Sequence, residues 1–123
     1  MYEPAVPPGW PRQVRPPGAP GWERTAVNWL YELCPVEYRA YPLLARYPQL
    51  LARLARQQVE ANVQAARRGY ATARVDLKDV VEPQVVEELL SVYATEGPRL
   101  VALGRSVQLV ADALDGVRWR PRL

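Results

Sequence analysis

The chain has 123 residues, 49% of them apolar, with 16 basic and 13 acidic side chains, one cysteine and no histidine. That length has room for one domain with tails, and its apolar share supports a modest core without metals or cross-links. The lone Cys34 excludes an internal disulfide and a multi-thiolate metal site, and the absence of histidine removes the commonest metal ligand and general base, so no cofactor is expected.

No stretch reaches eighteen apolar residues, and the opening MYEPAVPPGW has neither a basic n-region nor an apolar h-region, so neither a membrane span nor a secretory signal is expected. The expected location is cytoplasmic. Every basic residue except Lys78 is arginine, and phenylalanine is missing altogether. With abundant Ala, Val, Pro and Leu, this matches the codon usage of a G+C-rich genome, and the arginine excess carries little functional weight by itself.

Residues 1–21 form a Pro/Gly/Trp-rich arm holding seven of the thirteen prolines, with a loose echo in PPGW (7–10) and PPGAPGW (16–22). The composition predicts an extended polyproline II segment without internal hydrogen bonds. Tyr2, Trp10 and Trp22 are large apolar groups for which a solvated linker has little use. They either fold back onto the protein's own helices or dock on another chain, as in arm exchange within a dimer. A PxxP-type ligand for an aromatic groove is a third reading of the same prolines.

From Trp22 the pattern turns helical, with Trp22, Ala26, Trp29, Leu30 and Leu33 on one face and Glu23 in the first turn, where the helix dipole favours an acid. Pro35 ends this helix. Cys34 is read either as a small core hydrophobe or as a thiolate near a helix N-terminus with Pro35 in the first helical position. Pro42 and Pro48 each suit a first helical position, giving one short turn of helix over 42–47 before a long arm begins.

Residues 48–114 organise the remainder. Val59, Val63, Ala66, Tyr70, Ala73 and Leu77 recur at alternating spacings of four and three, and so do Val86, Leu90, Tyr93, Gly97, Leu100, Gly104, Val107, Ala111 and Leu114. Two such coiled-coil-like seams, joined by an acidic break at 76–82, predict a long antiparallel helical hairpin. Pro83 restarts the helix, Gly97-Pro98 predicts a kink in a continuous second helix, and Gly116 is placed just beyond its end. Small residues Ala66, Ala73, Gly97, Gly104 and Ala111 are expected to allow close helix approach. The fold class is therefore all-α, with a helical domain over 22–116 and an Arg/Trp tail over 117–123.

Asp76, Asp79, Glu82, Glu87 and Glu88 match no calcium loop and no di-iron motif, and they read as a solvated hairpin end. There is no phosphate loop or nucleophile elbow, and Ser91 and Ser106 have no histidine to activate them, so no enzymatic activity is expected. Off the main seam, Val85, Leu89, Val92, Leu103 and Val110 need another layer, and a first helix of about a dozen residues is short beside such arms. The reading that follows is a non-enzymatic protein–protein interaction module, an adaptor or assembly factor, homodimeric through helical self-association or paired with another protein, against the plainer reading of a monomer whose short elements cover everything. Trp10, Trp22, Arg118, Trp119 and Arg120 are its contact candidates, because aromatics and arginines dominate interfaces. The rival reading is a small nucleic-acid or ribonucleoprotein accessory protein. Arg53, Arg56, Arg67, Arg68 and Arg74 stand against Glu60 alone on the first long arm, although the acidic second arm is positioned to neutralise them.

Overall fold

The computed structural model describes residues 6–122, so Tyr2 and Leu123 lie outside the described residues. Four α-helices follow one another: α1 (Trp22–Glu32), α2 (Pro42–Arg46), α3 (Pro48–Asp76) and α4 (Pro83–Leu114), with a 3-10 turn over Val36–Ala40 between the first two. Among the described residues there is no strand. Three of the four helices have proline in their first turn, where the missing N–H has no intrahelical partner to lose. The 3-10 turn differs in detail from the sequence reading, because Pro35 caps it from an extended backbone (φ −53°, ψ 142°) and does not begin a helix.

α3 and α4 lie antiparallel as the expected hairpin. At the turn-side end, Ala73, Val86 and Leu90 form a buried cluster, with Leu77, Leu89 and Tyr93 packed around it. At the other end Val59, Val107 and Val110 join the main core, to which α1 contributes Ala26, Trp29, Leu30 and Tyr31, α2 Leu44, and the start of α3 Leu51, Ala52 and Ala55. Of the glycines in the two long helices, Gly69 is the one that close packing requires. A Cβ there would stand inside the van der Waals envelope of the Tyr93 ring, whereas one at Gly97 would meet nothing within 4 Å. The role expected of Gly97 in helix approach is therefore not what the structure gives.

Gly97 instead precedes Pro98 inside one continuous α4. A proline ring crowds the Cβ of the residue before it whenever that residue is helical, and glycine has none. Pro98 also removes the amide that would bond the Ala94 carbonyl.

The arm departs from a continuous polyproline II run. Trp10 N–H donates to Pro7 O (3.1 Å), Ala19 N–H to Pro16 O (3.0 Å) and Trp22 N–H to Ala19 O (3.1 Å). Each closes a turn whose central residues are Pro-Gly, with Gly9, Gly18 and Gly21 at φ +92°, +88° and +74°. This is type II turn chemistry, proline pre-setting the first central residue and glycine accepting the left-handed second. The arm is anchored in cis: Val14 is 3% exposed within the core, Ser106 Oγ donates to Gly9 O (2.6 Å), and Arg15 N–H donates to Thr25 Oγ1 (3.0 Å).

Replacing Pro98 by alanine restores the amide on an exposed helical surface. Pro98→Ala is expected to raise the unfolding free energy by about 2–3 kcal/mol, read from the shift of the urea midpoint at unchanged slope. A midpoint that stays or falls would show that α4 is bent at this point for packing reasons.

Candidate functional site

The residues that converge most clearly come from opposite ends of the chain. α4 closes with Gly116 at φ +86°, Gly116 N–H bonded to Ala113 O (3.0 Å) and Val117 N–H to Asp112 O (2.9 Å). That pair of bonds is a Schellman stop, and it turns the tail back along the last turns of α4. There the tail meets the arm. Between them lies a cleft of about 760 Å³, walled by Pro7, Trp10 and Pro17 of the arm, Leu109 and Asp112 of α4, and Arg118, Trp119, Arg120 and Pro121 of the tail. The Trp10 indole is held by its Nε1–H, which donates to Val14 O at 2.8 Å. Asp112 takes a hydrogen bond on Oδ1 from Gln108 Nε2 (2.8 Å). Trp119 is 40% exposed, and Arg118 and Arg120 are exposed.

Four of the sequence candidates, Trp10, Arg118, Trp119 and Arg120, thus share one site. The other three do not. Trp22 begins α1 and packs half-buried against the core. Arg67 and Arg68 stand exposed midway along α3, away from the cleft. Sequence reasoning did not single out Asp112, Leu109 or the arm prolines as part of such a site. Pro7 and Pro17 were legible through their Pro-Gly neighbours as turn formers, but nothing local joins them to residues a hundred positions later.

Electrostatic pairing across the hairpin is thinner than the charge asymmetry suggests. Among the described residues one ion pair links the long helices, Arg74 Nε to Glu87 Oε1 at 3.1 Å, and it raises the Arg74 pKa above its ordinary value through that hydrogen bond. Glu96 and Arg99 pair within α4, the hydrogen bond lowering the Glu96 carboxyl and raising Arg99. Arg56 instead donates to Gln108 Oε1 at 2.7 Å.

A second surface runs along α4. Residues 85, 89, 92, 96, 99, 103, 106 and 110 alternate in steps of four and three and so share one helical face. Its C-terminal half is covered, with Val110 0% exposed, Leu103 packed on the core and Ser106 bonded to the arm. Its N-terminal half is covered only at Leu89, which packs on the Ala73/Val86/Leu90 cluster, while Val85 is 45% and Val92 54% exposed. The Glu96–Arg99 pair marks the change. By the same spacing, Asn62, Ala65, Gly69, Thr72 and Asp76 share one face of α3, where the Tyr93 ring lies over Gly69.

A smaller apolar hollow of about 230 Å³ is framed by Tyr38, Tyr41, Leu43, Leu44 and Leu54, of which Tyr41 and Leu43 are more than half exposed. The sequence reading placed Leu54 on the apolar face at the start of the long arm and gave the other four no role as a surface.

No family model, curated protein or solved structure matches the chain. No described helix is long and apolar enough to cross a membrane.

Cys34 packs half-buried at the margin of the core, and desolvation raises its pKa. Raising the pKa keeps it as the thiol to higher pH than an exposed cysteine, so the reactive-thiolate reading is the weaker of the two. Alkylation by iodoacetamide at pH 8 is expected to be slower than for a cysteine in a short peptide, reaching parity only in denaturant. Faster reaction in the native protein would reverse that assignment.

Proposed function

We propose that the protein is a non-enzymatic interaction module that self-associates through the uncovered half of its hairpin. One observation carries the reading. One stripe along α4 is covered by α1 and the arm at one end and leaves Val85 and Val92 bare at the other, on either side of the half-buried Leu89. α1 has 11 residues and spans about 16 Å, against about 48 Å for the 32 residues of α4, so it cannot reach the rest of the groove. A second copy presenting the same stripe supplies two further helices of the same length and spacing. The result is an isologous four-helix arrangement in which each valine stripe lies along the small side chains of its partner's α3. In this reading the homodimer is a paired scaffold, and the partners it gathers are met elsewhere on its surface.

Nucleic-acid contact along α3 is the second reading. Arg53, Arg67 and Arg68 are exposed, and neither of the two ion pairs among the described residues involves them. Retention of RNA that weakens with salt and with Arg67→Gln/Arg68→Gln would favour it.

The self-association reading is tested by absolute mass in solution. Light scattering after size exclusion is expected to give a dimer at low and at moderate salt, because the contact is apolar. Val85→Glu/Val92→Glu is expected to give a monomer with unchanged helical circular dichroism. A wild-type monomer at concentrations of about 100 μM, corresponding to less than about 5.5 kcal/mol of association, would sink it.

A further inference from the structure

We propose that the cleft between the arm and the C-terminal tail binds a nucleoside phosphate, either free or as the end of a single nucleic-acid strand. The cleft, about 760 Å³, falls within the roughly 300–1,000 Å³ typical of small-ligand sites. Its polar groups are few and of three kinds. Trp10 and Trp119 offer flat aromatic surface, and Trp10 has its indole N–H committed to Val14 O, which fixes the ring in place. Arg118 and Arg120 offer forked guanidiniums that match phosphate oxygens in pairs. Asp112 is the acid of the cleft wall, and only its Oδ1 is engaged, by Gln108, so the other oxygen is open to an N–H or O–H donor.

A nucleotide carries all three complements on one molecule. Its base stacks on indole, its phosphate takes the arginines, and a base amine or ribose hydroxyl donates to Asp112. An acidic peptide would satisfy the arginines but leave both indoles without a flat partner. The proline rings of Pro7, Pro17 and Pro121 give walls that lose no side-chain freedom when a ligand enters.

The cleft lies at the C-terminal end of α4 and the bare valine stripe near its N-terminal end, so the two proposals fail separately. The experiment is a calorimetric titration of the full chain, and of the Val85→Glu/Val92→Glu variant, with ATP, inorganic triphosphate, a 5′-phosphorylated ten-nucleotide oligo-dA and a ten-residue oligoglutamate. ATP is expected to bind both proteins and to outdo inorganic triphosphate by at least about tenfold, the contribution of one stacked base. Trp119→Ala and Arg118→Gln/Arg120→Gln are each expected to weaken ATP by at least about tenfold, and Arg67→Gln/Arg68→Gln to leave it unchanged. Oligo-dA binding about tenfold or more tighter than ATP assigns the site to strand ends, and equal or weaker binding assigns it to the free nucleotide. Absence of heat with both ATP and oligo-dA at 1 mM would overturn the proposal (that concentration corresponds to about 4 kcal/mol). So would oligoglutamate binding as tightly as ATP, or ATP binding that ignores both cleft variants.

Discussion

Ala73 packs with Val86 and Leu90 near the turn, Tyr93 lies over Gly69 further along, and Val59 clusters with Val107 opposite Gly104 at the far end. These contacts set the separation of α3 and α4, and the other elements take their places from it. Where one helix offers alanine or glycine the other offers a branched or aromatic side chain, Ala73 and Gly69 of α3 facing Val86, Leu90 and Tyr93, and Gly104 of α4 facing Val59, so the seam is filled without forcing the helices apart. Once the two helices are close, they leave a shallow groove on each side. α1 occupies one of these grooves over its own short length, burying Trp29 and Leu30 against the first turns of α3.

The arm extends that cover by a different device. Three Pro-Gly turns fold 16 residues of chain into a compact strap, which buries Val14 and reaches Ser106 on the outer surface of α4. A polyproline II rod of the same length would have spanned about 50 Å and met little of the protein. Repeated reversal lets so proline-rich a segment add to the core, and it also brings Trp10 back to the end of α4, where the Schellman stop delivers the tail. Two local backbone rules, type II turns and a left-handed C′ glycine, together place residues more than a hundred positions apart on one cleft.

This explains what the sequence discloses and what it withholds. Helix starts were readable because Pro42, Pro48 and Pro83 mark them, and the hairpin was readable because a four-three rhythm persists through 48–114 on either side of an acidic break. Gly116 was readable as a stop. The arm's conformation was also encoded, in the Pro-Gly pairs, but composition alone pointed to an extended rod, and the dipeptides outweigh it because each glycine supplies a left-handed residue. Convergence of Trp10 with Trp119 had no local signal, since it depends on where the folded hairpin ends. The surplus stripe on α4 was legible as a whole, yet only the structure divides it: Val110 and Leu103 are covered in cis, and Val85 and Val92 are not. Tyr41 and Leu43 show the converse, because a helix of five residues is too short to turn both its faces inward.

Charge plays a smaller part in holding this fold than its asymmetry suggests. The one ion pair between the long helices joins side chains that are both more than half exposed, and such pairs contribute little to stability. The apolar seam therefore holds the hairpin, and most of the arginines are left to act on what approaches from outside. In the proposed dimer the bare stripes overlap at the centre and each covered end points outward. The two Arg/Trp clefts then stand on the order of 70 Å apart, at about 1.5 Å per residue along the two copies of α4. Sites so separated act independently on short ligands. On a long strand or a large assembly the same geometry couples them, because the second contact forms within one molecule once the first is made, and the avidity depends on whether the ligand spans that distance. Under the two proposals together, the length of the hairpin, set by the seam, fixes how far apart the two clefts stand.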